Sequence, residues 1–114
     1  MGEHAVIVTF YGYAEKFWRE DSRPLDALFA LEDELTAALE GKGIGTLDGN
    51  EIAMDGSDGT LFLYGPDADA LFAAIEPVLK SSAITQGGNA TLRYGPAGQP
   101  NVMQKFVAIT PHLN

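Results

Sequence analysis

No cysteine occurs among the 114 residues. That excludes disulfides, thiol nucleophiles, iron–sulfur clusters and cysteine-ligated zinc together. No apolar run approaches the ~20 residues that a membrane helix requires. Met1-Gly2-Glu3-His4 carries neither the basic segment nor the apolar stretch of a secretory leader. The cytoplasm is therefore the expected location, with no membrane partner. Basic residues are also scarce: seven Lys and Arg stand against sixteen Asp and Glu, a formal net charge of −9. Nucleic-acid affinity comes mostly from Lys and Arg neutralising phosphates, so no nucleic-acid partner is expected. The charge would steer a basic protein toward this surface, although it serves equally to keep a chain in solution.

Catalytic signatures are missing too. Neither Gly-x-Gly-x-x-Gly after a strand nor the Gly-Lys-Ser/Thr ending of a phosphate loop is present, and Gly41-Lys42-Gly43 follows a helical pattern instead. His4 and His112 lie at opposite ends of the chain, and no Gly-x-Ser-x-Gly elbow offers either of them a nucleophile. No catalytic residue, metal or cofactor is assigned, and whether the chain is an enzyme at all stays open, with a non-catalytic role expected.

What is present is a repeated pattern. Asp-Ala-Leu-Phe-Ala occurs at positions 26–30 and again at 69–73, each copy preceded by a β-like run ending in Tyr-Gly, at Tyr11-Gly12 and Tyr64-Gly65. The first run is Ala5–Phe10, and the second Thr60–Tyr64. Pro24 suits the first turn of a helix, with Ser22 as a candidate cap. Leu28, Leu31, Leu35 and Leu39 then recur at the spacing of a buried stripe, up to about Glu40. Gly41 and Gly43 supply the stop. A weaker strand is expected over Gly45–Met54, followed by a hairpin turn at Asp55–Gly59. Asp67 should cap a second helix whose stripe is Leu71, Ile75, Val78 and Leu79, with Pro77 expected to kink or end it. A fourth strand over Ala90–Tyr94 and a fifth over Val102–Ile109 complete the reading.

Strand–helix–strand written twice is the split βαβ plan: a ferredoxin-like α+β sandwich, βαββαβ, with both helices on one face of an antiparallel sheet. Residues 1–114 read as one such domain. The segments Gly45-Thr46-Leu47-Asp48-Gly49-Asn50-Glu51 and Leu63-Tyr64-Gly65-Pro66-Asp67-Ala68-Asp69-Ala70-Leu71-Phe72 resemble small uncharacterised bacterial ferredoxin-like proteins. The resemblance implies that fold and brings neither an activity nor site residues with it.

A few residues stand out as binding candidates. Superposing the two pentapeptides lays Glu32 on Ile75, so a strict repeat would aim its carboxylate at the sheet, whereas a small rotation of the first helix leaves it at the rim. Asp48, Asn50 and Glu51 form an acidic edge, but alternation lets only two of them share a face, too few for a hard cation. If Leu61 and Leu63 face the helices, Thr60, Phe62 and Tyr64 face away, joined by Thr91 and Arg93. An aromatic open face is an RNA platform in one family of this fold, but the strand here lacks the basic lead and the charge is wrong. Protein is the commoner cover: a second copy of the chain, or the large residues Tyr13, Phe17 and Trp18 of the 12–23 linker.

The leading expectation is a small non-catalytic protein-interaction module that self-associates, with a homodimer as its form. The alternative is a small-molecule binder or enzyme with a pocket between the 13–18 linker and the open face, using Tyr13, Trp18, Phe62, Arg93 and either Glu32 or Glu51. A third reading, an acidic decoy for a basic toxin or nuclease, has only the charge behind it.

Overall fold

The computed structural model describes residues 3–11, 24–52, 58–82, 84–96 and 98–109. In chain order these form β1 (His4–Tyr11), α1 (Pro24–Leu39), β2 (Thr46–Ile52), β3 (Asp58–Gly65), α2 (Ala68–Ser81), β4 (Asn89–Arg93) and β5 (Gln104–Ala108). The architecture is α+β. Five strands make one sheet in the order β2-β3-β1-β4-β5, and every neighbouring pair is antiparallel.

The central strand β1 sets the two faces. Its side chains alternate, so Val6, Val8 and Phe10 point to one side and Ile7 and Thr9 to the other. Register extends that alternation across the sheet. Val6 lies between Leu63 and Leu92, and Val8 between Leu61 and Ala90. All of these are buried, and they form one cluster with Leu28, Leu31, Leu35 and Leu39 of α1 and Leu71, Ile75 and Leu79 of α2. Both helices therefore cover the same face. Ile84 and Ile109 close one end of this core.

Local chemistry fixes the helix ends. Asp67 caps α2, accepting from the N–H groups of Asp69 (3.0 Å) and Ala70 (3.3 Å). At the far end Thr85 is buried, and its hydroxyl donates to the Leu79 carbonyl at 2.6 Å, so the last turn does not lose its acceptor to an apolar interior. Gly41 follows α1 in the left-handed region (φ 73°), as expected from a helix stop. Gly65 is needed for a different reason: a side chain there would collide with the backbone of Ile44 where β2 begins.

Several sequence expectations need correction. The turn expected at Asp55–Gly59 is shorter on its far side, because Asp58 and Gly59 already pair with Tyr11 and Phe10 in β3; residues 53–57 lie outside the described set. Pro77 does not end α2, which continues to Ser81. Pro77 is exposed, so the Ala73 carbonyl it deprives of a partner sits on the watered side, while Leu71, Ile75 and Leu79 carry the packing past it. At the helix's end the Ser81 hydroxyl shares its proton between the carbonyls of Pro77 (3.0 Å) and Val78 (3.2 Å).

The repeated pentapeptides do not occupy equivalent positions either. The two buried stripes, Leu28-Leu31-Leu35-Leu39 and Ala68-Leu71-Ile75-Leu79, coincide when Leu31 is laid on Leu71. Superposing the pentapeptides lays Leu28 there instead. Phe29 is accordingly 52% exposed while Phe72, its counterpart by sequence, packs against the core.

Pro77→Ala restores a donor for the Ala73 carbonyl in an exposed helical position. It is expected to stabilise the fold by about 1–3 kcal/mol, given the propensity gap between Pro and Ala. A denaturant titration checks this; an unchanged or lower midpoint would show that the helix is already relaxed around the ring.

Candidate interaction surface

The face of the sheet away from the helices is built in three rows by the strand registers. The middle row runs Gly49, Phe62, Ile7, Thr91, Phe106. Beside it on one side lie Thr46, Tyr64, Ala5, Arg93 and Gln104, and on the other Glu51, Thr60, Thr9, Asn89 and Ala108. The middle row is the most apolar, with Phe62 beside Ile7 on one side and Phe106 beyond Thr91 on the other. Ile7, Phe62 and Tyr64 are half-buried, but Phe106 at its β5 end is 72% exposed. Met103, just before β5, is 75% exposed. The two most exposed large apolar side chains among the described residues thus adjoin one edge of the sheet.

The two edges differ in charge. β2 carries Asp48 and Glu51, and its ladder with β3 is interrupted by a bulge between Leu47 and Gly49. The bulge places Leu47 and Asn50 opposite Leu63 and Leu61, on the helix side. β4, β5 and their connection hold Arg93 and Lys105 and no acid; indeed no Asp or Glu follows Glu76 anywhere in the chain. In a chain of net charge −9 this is the one long acid-free stretch. Counting charge over the whole chain hides this segregation, and a windowed count would have exposed it.

The candidate residues from the sequence are divided between the two faces. Glu32 lies on the helix side, half-buried, where its Oε2 accepts from Asn50 Nδ2 at 2.7 Å. It sits at the rim of the α1 stripe, as the shifted packing of the helices dictates. Phe62, Arg93 and Glu51 are on the opposite face but in three different rows. Arg93 Nε donates to the Gly95 carbonyl at 2.7 Å, which ties down the chain as it leaves β4. Tyr13 and Trp18 lie outside the described residues, as does His112. Glu32 therefore does not share the open face with Phe62, Arg93 and Glu51.

A second cluster was not expected. His4 opens β1, where its Nδ1 accepts from the Ala68 N–H at 3.0 Å, joining the central strand to the start of α2. The imidazole meets the Tyr94 ring edge-on, centroids 5.7 Å apart at 83°. Tyr94 in turn donates its hydroxyl to Asp69 Oδ1 at 2.6 Å. With the β4–β5 loop these rings border a shallow cavity of about 430 Å³. His4, dismissed from the sequence as terminal, is a structural staple. Only its distance from Ala68 in sequence concealed this.

Among the described residues no group of three or more His, Asp or Glu is placed to hold a metal ion, and no helix is long and apolar enough to cross a membrane. No protein-family model, curated protein or solved structure matches the chain.

Two outcomes are expected here. The bond to Asp69, then burial and the charges of Asp69 and Asp67, push the Tyr94 hydroxyl up to about 12. The folded state holds this proton more tightly than the unfolded chain, whose tyrosines titrate near ~10. The stabilising contribution is thus complete below ~10 and lost as pH rises toward about 12. Alkaline absorbance titration should show one late tyrosinate that disappears in Tyr94→Phe; titration of every tyrosine together near ~10 would contradict it. Separately, Glu32→Leu should change stability by no more than about ±0.5 kcal/mol, the range for a rim position. A gain well beyond this on denaturant titration would mean that the carboxylate is buried at real cost.

Proposed function

We propose that this chain is a small protein-interaction module that self-associates through its sheet and performs no catalysis. Its working form is a homodimer. The observation that carries the reading is the joining of an apolar open row to an acid-free edge, with Phe106 at their junction. An exposed aromatic on a sheet edge with no described strand beyond it is what natural chains avoid unless something covers it. A second copy is the occupant that the charge favours, because two chains of −9 repel least where strands without Asp or Glu meet.

The fold part of the proposal is a ferredoxin-like βαββαβ sandwich extended by β5. It is supported by the order β2-β3-β1-β4 within the sheet and by both helices packing on one face. The non-catalytic part is supported by the dispersal of the acidic and basic candidates over two faces and several rows. A small-molecule role for the open face keeps Glu51, Phe62 and Arg93 in its favour, but they are not gathered at one point.

Light scattering over a concentration series tests the reading. A mass of twice 12.2 kDa at high micromolar concentration is expected, reached at lower concentration as salt screens the repulsion between acidic bodies. A monomer throughout would overturn it.

A further inference from the structure

We propose that β5 is the dimer seam: two copies pair their β5 strands antiparallel about a two-fold axis at Phe106, fusing two five-stranded sheets into one. This rests on the self-association reading and specifies the surface that performs it.

The backbone determines which groups are available. The Tyr94 N–H donates to the Met103 carbonyl, and the Ile109 N–H to the Gly88 carbonyl, both at 3.0 Å. In an antiparallel ladder, residues alternate between pointing their N–H and C=O at the partner strand and pointing them away. Continuing the alternation from Met103 to Ile109, Lys105 and Val107 face β4, while Gln104, Phe106 and Ala108 present their backbone groups outward. Among the described residues no strand pairs with this outward edge, and an edge of this kind is a template for strand addition.

Register then follows from the side chains. With the axis at Phe106, that residue meets its own counterpart, Gln104 meets Ala108, and each outward N–H and C=O finds a partner. Lys105 falls opposite Val107, so no like charges oppose each other. An axis at Lys105 would set two ammonium groups face to face, which is destabilising. Phe106 also lies in the middle row of the open face, so pairing at this register joins the rows of both copies into one continuous strip, Phe62-Ile7-Thr91-Phe106 and its symmetry mate. The other edge is unsuited: β2 against β2 would bring Asp48 and Glu51 near their counterparts across a bulged strand.

A charge-swap experiment tests the axis. Phe106→Lys and Phe106→Glu each place like charges across the two-fold, and the residue is exposed enough that both variants should fold, as circular dichroism would verify. Each alone is expected to associate at least tenfold more weakly than the wild type, and an equimolar mixture should recover the dimer mass. Dimerisation of Phe106→Lys at wild-type strength would overturn the seam while leaving self-association intact elsewhere on the sheet. Dissociation of both variants without recovery on mixing would place Phe106 away from the axis and overturn the register. A wild-type mass growing beyond the dimer would point to β5 pairing with β2 in an open chain and would also overturn it. A wild type that never associates would remove both the seam and the reading beneath it.

Discussion

The structure depends on the alternation of β1. This strand pairs on both sides, with β3 and with β4, so each of its side chains commits a whole row of the sheet to one face. Val6, Val8 and Phe10 are fully buried and assemble the core beneath both helices. Ile7 and Thr9 define the opposite face. A one-residue slip of register would exchange the two, exposing the core rows and burying threonines and Arg93. His4 resists such a slip at the strand's start, through its bond to the first N–H of α2.

That dependence explains both the stability and the exposed chemistry of the sheet. Because two helices cover only one face, the other must be polar, covered, or shared. Here it is mixed: threonines and Asn89 dilute the outer rows, while Phe62, Ile7 and Phe106 keep the middle one apolar. The charge distribution then discriminates between the sheet's edges. Acidic β2 combines two charges with a bulge, as protected natural edges do, whereas β5 has a regular ladder and a single Lys105 beside its exposed Phe106.

Much of the architecture was legible from patterning. The Leu28–Leu39 stripe, the Asp67 cap and the outward alternation of Phe62, Thr91 and Arg93 all follow from periodicity and local chemistry, which act over a few residues. Failures came where spatial context decides. Pro77 sits inside α2 because its face is exposed, a fact about packing and not about proline. Of the two placements open for Glu32, the structure has the rim, because burial follows the stripe, not the identity of five letters. His4, Tyr94 and Asp69 converge from three elements, and nothing in their sequence spacing announces it. The acid-free final third was in plain view but is invisible to a single net charge.

The central claim is that β5 is the edge where two copies meet, and amide hydrogen exchange reads that edge directly. The outward N–H groups of Phe106 and Ala108 point away from β4, with no strand beyond them among the described residues, and become bonded across the seam. Their exchange should slow as protein concentration rises through the association range, while exchange along the outer side of β2 stays constant. Exchange at Phe106 and Ala108 that does not vary with concentration, in a sample whose mass shows the dimer, would contradict the account.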